Sequence, residues 1–146
     1  MIMKPMRTGS RQQGLSLLEA LLGILLFSVG ILAVVGIQAM AVRNVAESNY
    51  RMEASFLANQ LIGEMWANRI NLASYNFTSG SPPSTLTTWV GRVNGTLPGT
   101  TANPPTVNVN GTTVIITIFW QAPEEAKLSP APAAHSHKVV ASIDCC

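Results

Sequence analysis

Charge is missing from Ala20 to Val42, a run of 23 residues, and no acid stands anywhere before Glu19. That excludes a helix that merely lies on a surface with one polar face. Cysteine is nearly missing too. The only two, Cys145 and Cys146, are neighbours, so no disulfide can join separated parts of this chain. A bond between adjacent cysteines strains an eight-membered ring, far from the usual Cα separation of about 5.5 Å, so free or intermolecularly paired thiols are expected ahead of a vicinal bridge. Histidine is scarce: His135 and His137 fall short of the three or four ligands a metal needs, and no metal site or other cofactor is predicted. They sit in a Pro- and Ala-rich stretch and read as solvated. An excess of positive charge is lacking once the first residues are set aside. Beyond residue 14, Arg43, Arg51, Arg69, Arg92, Lys127 and Lys138 face seven acids, so the basic pI belongs to the leader and no nucleic-acid partner is predicted.

At about 1.5 Å per residue the uncharged run makes roughly 35 Å of helix, enough to cross a hydrocarbon core of about 30 Å. Lys4, Arg7 and Arg11 precede it without an acid among them, which predicts that the first dozen residues stay in the cytoplasm and the rest is exported. Glu19, at the edge of the run, is out of place in a plain anchor, because an unpaired carboxylate against hydrocarbon costs at least a few kcal/mol. It needs a partner. An ordinary secretory signal has an apolar core of about 7 to 15 residues with a small-residue cleavage site beyond it. Here the candidate small residue, Gly14, lies on the near side. A cut after Gly14 removes residues 1–14, keeps the apolar helix and creates an amino terminus at Leu15, with Glu19 one helical turn inside it.

This arrangement, Gly14-Leu-Ser-Leu-Leu-Glu19 between a basic leader and a spanning helix, resembles the class III signal of type IV pilins and their relatives. The resemblance implies cleavage after Gly14 by a membrane-embedded prepilin peptidase, methylation of the new terminal amine on Leu15, and pairing of Glu19 with the terminal amine of a neighbouring subunit. The family usually places Phe or Met where this chain has Leu15. Within the run Ala20, Gly23, Phe27, Gly30, Val34, Ile37 and Ala41 recur at spacings of three and four, a stripe along which another helix can approach closely. Gly36 stands where major pilins often carry a kinking proline, so a straighter helix is expected, or one loosened locally at Gly36.

Residues 43–72 read as the same helix continuing outside the membrane, after the assembly half at 15–42. They contain no proline, and Arg43/Glu47 and Glu47/Arg51 stand four apart. Met52 and Phe56 form an apolar pair, while Leu57, Leu61 and Met65, with Trp66 beside them, form a stripe that needs a cover. Glu47, Glu53 and Glu64 read as a solvated face, since no histidine or second acid is placed in the sequence to tune them.

From residue 73 to 146 the composition turns to Ser, Thr, Asn, Gly and Pro, which predicts an antiparallel β head. Thr85 to Val93 reads as a short strand around Trp89, and Gly95 to Pro105 as a loop. A hairpin is predicted over about 106–121, with Asn110-Gly111 as its turn. Val114, Ile116, Ile118 and Trp120 alternate along its second arm and should cover the Leu57/Leu61/Met65 stripe, while the opposite face meets loops or another subunit. Ala122 to His137 reads as linker and about 138–143 as a last strand. Asn76, Asn94 and Asn110 open N-x-Thr sequons but read as turn residues, and Trp89 and Trp120 as core.

Taken with Phe27-Ser-Val-Gly30-Ile-Leu32, Gly36-Ile-Gln38, Leu57-Ala-Asn-Gln-Leu61, Leu97-Pro98-Gly99 and Ile118-Phe-Trp120-Gln121, the chain resembles the PilV group of minor type IV pilins. The fold this implies is α+β: one long N-terminal helix, its first half membrane-spanning, with a small antiparallel sheet. The implied function is that of a low-abundance subunit joining other minor and major pilins in a priming or tip complex that supports pilus assembly, adhesion or twitching motility. No enzymatic activity and no small-molecule substrate are expected. Before assembly the resemblance places the chain in inner-membrane lipid with a periplasmic head, and afterwards in the fibre or its tip. Two other functions fit the same sequence: a minor pseudopilin of a type II secretion system, and a non-polymerising, membrane-anchored periplasmic binding domain.

Overall fold

The computed structural model describes residues 12–144, with side chains from Leu15 to Asp144; Lys4, Arg7, Arg11, Cys145 and Cys146 lie outside the described residues. The first element is a helix, α1, over Gln12–Ala67, 56 residues in all. The chain divides into two compact units, the first ending at Asn44 and the second beginning at Val45.

In the first unit α1 is helical at every described position and runs without a break through Gly23, Gly30 and Gly36. The absence of proline leaves each backbone N–H free to bond one turn back. Ser28 keeps its hydroxyl satisfied by donating from Oγ to the Ile24 carbonyl at 2.6 Å, the arrangement a lone hydroxyl adopts on an apolar helix.

In the second unit α1 buries Ala54, Leu57, Ala58, Leu61 and Met65 on one stripe. Of the predicted charge pairs on this helix, Glu47 and Arg51 meet at 3.8 Å, an exposed contact contributing little. Trp66, read with the stripe, stays exposed. The helix ends at Ala67 rather than Leu72. A tighter 3₁₀ segment, Arg69–Tyr75, follows, with Asn71 outside helical geometry at φ −115°. Asparagine side chains compete with the helix backbone here: Asn68 Nδ2 donates to the Tyr75 hydroxyl and Asn71 Nδ2 to Asn68 Oδ1, each at 3.2 Å. The turn brings Leu72 and Tyr75 into the core.

The expected strand at Thr85 to Val93 is instead a helix, α2, over Ser84–Thr96. Threonine, valine and tryptophan favour strands, but Leu86, Trp89, Val90 and Val93 stand at helical spacing and are all buried. Burying one face outweighs propensity. Pro83 sets the start, its carbonyl accepting from the N–H groups of Leu86 and Thr87 at 2.8 and 3.1 Å. Trp89 Nε1 reaches across to donate to the Leu57 carbonyl at 2.9 Å.

Three antiparallel strands follow in the order β1 (Thr106–Asn110), β2 (Thr113–Trp120) and β3 (His135–Ser142). The β1–β2 hairpin turns on Gly111 and Thr112, one residue beyond the expected Asn110-Gly111, with Asn110 opposite Thr113. Gly111 takes φ +60° at the first turn position, which suits the Gly-X form of a two-residue hairpin loop. This register sets Val109 opposite Val114 and Val107 opposite Ile116; the expected one would have placed Val109 against Thr112. Val107, Val114, Ile116, Ile118 and Trp120 share the inner face and join Leu57, Leu61, Met65, Trp89 and Ile143 in one core. On the opposite face Ile115, Thr117 and Phe119 are half-buried, and Val140, paired with Ile115, is exposed. The fold is α+β and pilin-like: one long N-terminal helix and a small antiparallel sheet.

Between α2 and β1, Gly99 is required by its geometry. It lies at φ +74°, and a Cβ there would sit 3.0 Å from the Cβ of Gln121, while Gln121 N–H donates to the Pro98 carbonyl at 3.0 Å. Neither the backbone angle nor the space admits a side chain.

Candidate functional site

The residues singled out for processing and assembly all lie along the first unit of α1. Gly14 and Leu15 are helical, and Leu15 is 75 % exposed. Glu19 follows one turn later, also exposed, and pairs with no basic side chain among the described residues. Every described side chain from Leu15 to Asn44 is exposed. A Cβ added at Gly23, Gly30 or Gly36 would meet nothing within 4 Å, so within this chain the small-residue stripe with Ala20 is open. Leu26, Phe27, Gly30, Ile31, Val34, Val35 and Gln38 outline a shallow groove along it. By length and composition the helix is able to cross a membrane.

The second unit contains a cluster that sequence reasoning missed. Glu47 on α1, Trp120 at the end of β2, His135 at the start of β3 and Glu125 in the β2–β3 connection converge. The expectation that Glu47 faces solvent without a histidine near it, and that His135 floats in a linker, is corrected. β3 begins at His135, three residues earlier than expected, because Trp120 pairs with His135 and Ile118 with His137 across the sheet. Strand parity then turns both histidines to the inner face.

The geometry is that of a clasp. Trp120 Nε1 donates to Glu47 Oε2 at 3.1 Å. His135 Nε2 lies 3.2 and 3.1 Å from the two carboxylate oxygens of Glu125, and its Nδ1 lies 3.5 Å from Glu47 Oε1. The indole and imidazole rings stack with centroids 6.0 Å apart and planes at 17°. Glu47 Oε1 is buried and accepts no hydrogen bond; its neighbours Arg51 Nη2 and His135 Nδ1 lie 3.8 and 3.5 Å away. A doubly protonated imidazole has a donor for each carboxylate and a neutral one has a donor for only one. The cluster fastens the connection, strand and helix together. The connection is further held by Gln121 Nε2, which donates to the Pro132 carbonyl at 2.9 Å.

The signal for this cluster was weak in the sequence. Trp120 and Glu47 are 73 residues apart, and only the alternation of β2 hinted which way the indole would face. Of the sequon asparagines, Asn76 accepts from Val109 N–H at 3.1 Å, Asn94 lies in α2 rather than in a turn, and Asn110 ends β1. Trp89 and Trp120 are core residues.

No family model, no curated protein and no solved structure matches this chain.

Proposed function

We propose that this chain is a minor type IV pilin of the PilV group, a low-abundance subunit that joins other pilins in a priming or tip complex and supports pilus assembly, adhesion or twitching motility. The observation that carries this reading is the first half of α1, uncovered along its whole described length with Glu19 as its single acid. An apolar helix of that length calls for lipid before assembly and for neighbouring helices after it. Residues 1–14 are removed by prepilin peptidase, the amine of Leu15 is methylated, and Glu19 then meets the terminal amine of an adjoining subunit. Opposite charges about 4 Å apart attract far more strongly in a low-dielectric surrounding than in water, so the pairing offsets the burial of the carboxylate and sets the stagger between subunits. The head lies in the periplasm and contacts other minor subunits.

Mass spectrometry of the mature amino terminus is expected to find methylated Leu15; an intact Met1 overturns the reading and favours a non-polymerising anchor. Glu19→Ala is expected to leave cleavage intact and to lower incorporation into sheared pili about tenfold or more, the loss of roughly 1.4 kcal/mol or more per contact. Co-purification with secretion components in place of pilus components would assign the chain to a type II secretion system.

A further inference from the structure

The sheet is closed along one edge and open along the other. β1 is covered on its outer side by Phe77, which exchanges backbone hydrogen bonds with Val107 at 2.7 and 2.6 Å, and by the side chain of Asn76 on Val109 N–H. β3 pairs with β2 alone among the described residues. Alternate N–H and C=O groups along such an edge point outward without a strand to receive them. Beside it the helix leaves a strip bare. Arg51, Met52, Ser55 and Phe56 of α1, with His137 of β3, line a groove of about 520 Å³. Met52 and Phe56 are each 64 % exposed, although the same helix buries Leu57 and Leu61 fully under the sheet.

We propose that this groove receives an extended segment of a different protein chain, which adds to β3 as a fourth strand, rests alternate apolar side chains on Met52 and Phe56, and turns the carboxylates between them to the opposite face, toward Lys138. Charge selects that occupant. Lys138 is the one permanently charged residue of β3, the strand holds no acid, and Lys138, opposite Thr117, stands on the face away from the groove. A second copy of β3 laid against the first would add a second lysine and no acid, and lysine on an edge strand opposes such self-pairing. Neither β1 nor β2 holds a carboxylate, so no strand of a second copy supplies the complement. Added strands take affinity from main-chain bonds and specificity from every second side chain, which is what an open edge beside an apolar strip provides. The inference is independent of cleavage after Gly14 and of fibre assembly.

The test uses the full chain in detergent micelles and two labelled, end-blocked nine-residue peptides, one alternating valine with glutamate and one alternating valine with lysine. The acidic peptide is expected to bind at least tenfold more tightly by fluorescence anisotropy, and to slow hydrogen exchange at amides within residues 135–142. Phe56→Ser, a change at an exposed position that leaves the core intact, is expected to weaken binding at least fivefold. Lys138→Gln should narrow the preference for the acidic peptide. Equal affinities, no binding at millimolar peptide, unaltered exchange in β3, or full binding by Phe56→Ser would each overturn the proposal.

Discussion

Residues 15–44 and residues 45–144 solve the burial of apolar side chains in opposite ways. In the first stretch Leu21, Ile24, Leu25, Phe27 and Leu32 are all exposed; in the second Leu57, Leu61, Trp89, Ile116 and Trp120 are buried against one another. A similar supply of apolar side chains thus yields an internal core in one place and none in the other. The difference follows from arrangement. From Ala20 to Val42 apolar residues surround the helix on all sides, whereas beyond Val45 the apolar residues form stripes of period 3.6 on helices and period 2 on strands. The second unit covers itself, and the first depends on what surrounds it.

That contrast is open to direct tests. Trp89→Ala should be the most damaging change, costing the second unit about 3 to 5 kcal/mol by leaving a cavity and stripping the Leu57 carbonyl of its donor. Urea unfolding followed by circular dichroism measures it, and a loss below about 1 kcal/mol would mean that α2 is not part of the core. Trp120→Phe keeps an aromatic ring but removes the indole donor to Glu47 and part of a fully buried side chain. Hydrogen bonds to charged groups contribute about 1.5 to 3 kcal/mol, but Glu47 is a third exposed and water takes over part of the role, so the lost bond accounts for about 1 kcal/mol and the cavity adds to it. The double variant with Glu47→Gln should cost less than the sum of the two single changes if the clasp acts as a unit. Leu25→Ala should have the smallest effect. Leu25 touches no core of its own chain, so the unfolding midpoint of the second unit should shift by less than the equivalent of about 0.5 kcal/mol. A larger shift would erase the distinction between the two regions.

The legible parts of the molecule were those with a strong local pattern. Val114, Ile116, Ile118 and Trp120 announce an inner face by alternation, and that face does meet the Leu57/Leu61/Met65 stripe. The misread parts carry conflicting local signals. In Ser84–Thr96 the β-favouring Thr87, Thr88 and Val90 mask a spacing of three and four through Leu86, Trp89, Val90 and Val93, and the preceding Pro82-Pro83 was the available sign of a helix start. His135 and His137 lay hidden in proline-rich surroundings because β3 has little strand character until it pairs. Glu47 looked like any solvated carboxylate, since its partners Trp120, Glu125 and His135 come from distant parts of the chain.

The sequence alone determined the apolar helix, the solitary Glu19 at its edge and the hairpin, because hydrophobic length, charge placement and side-chain alternation act over neighbouring residues. Tertiary structure decided that residues 84–96 coil rather than extend, that the hairpin slips by one turn residue, that β3 starts at His135, and that Glu47 is clasped by Trp120 and the imidazole. Those outcomes depend on which surfaces are present to be covered, and contacts between residues far apart in the chain come into being only when the core closes.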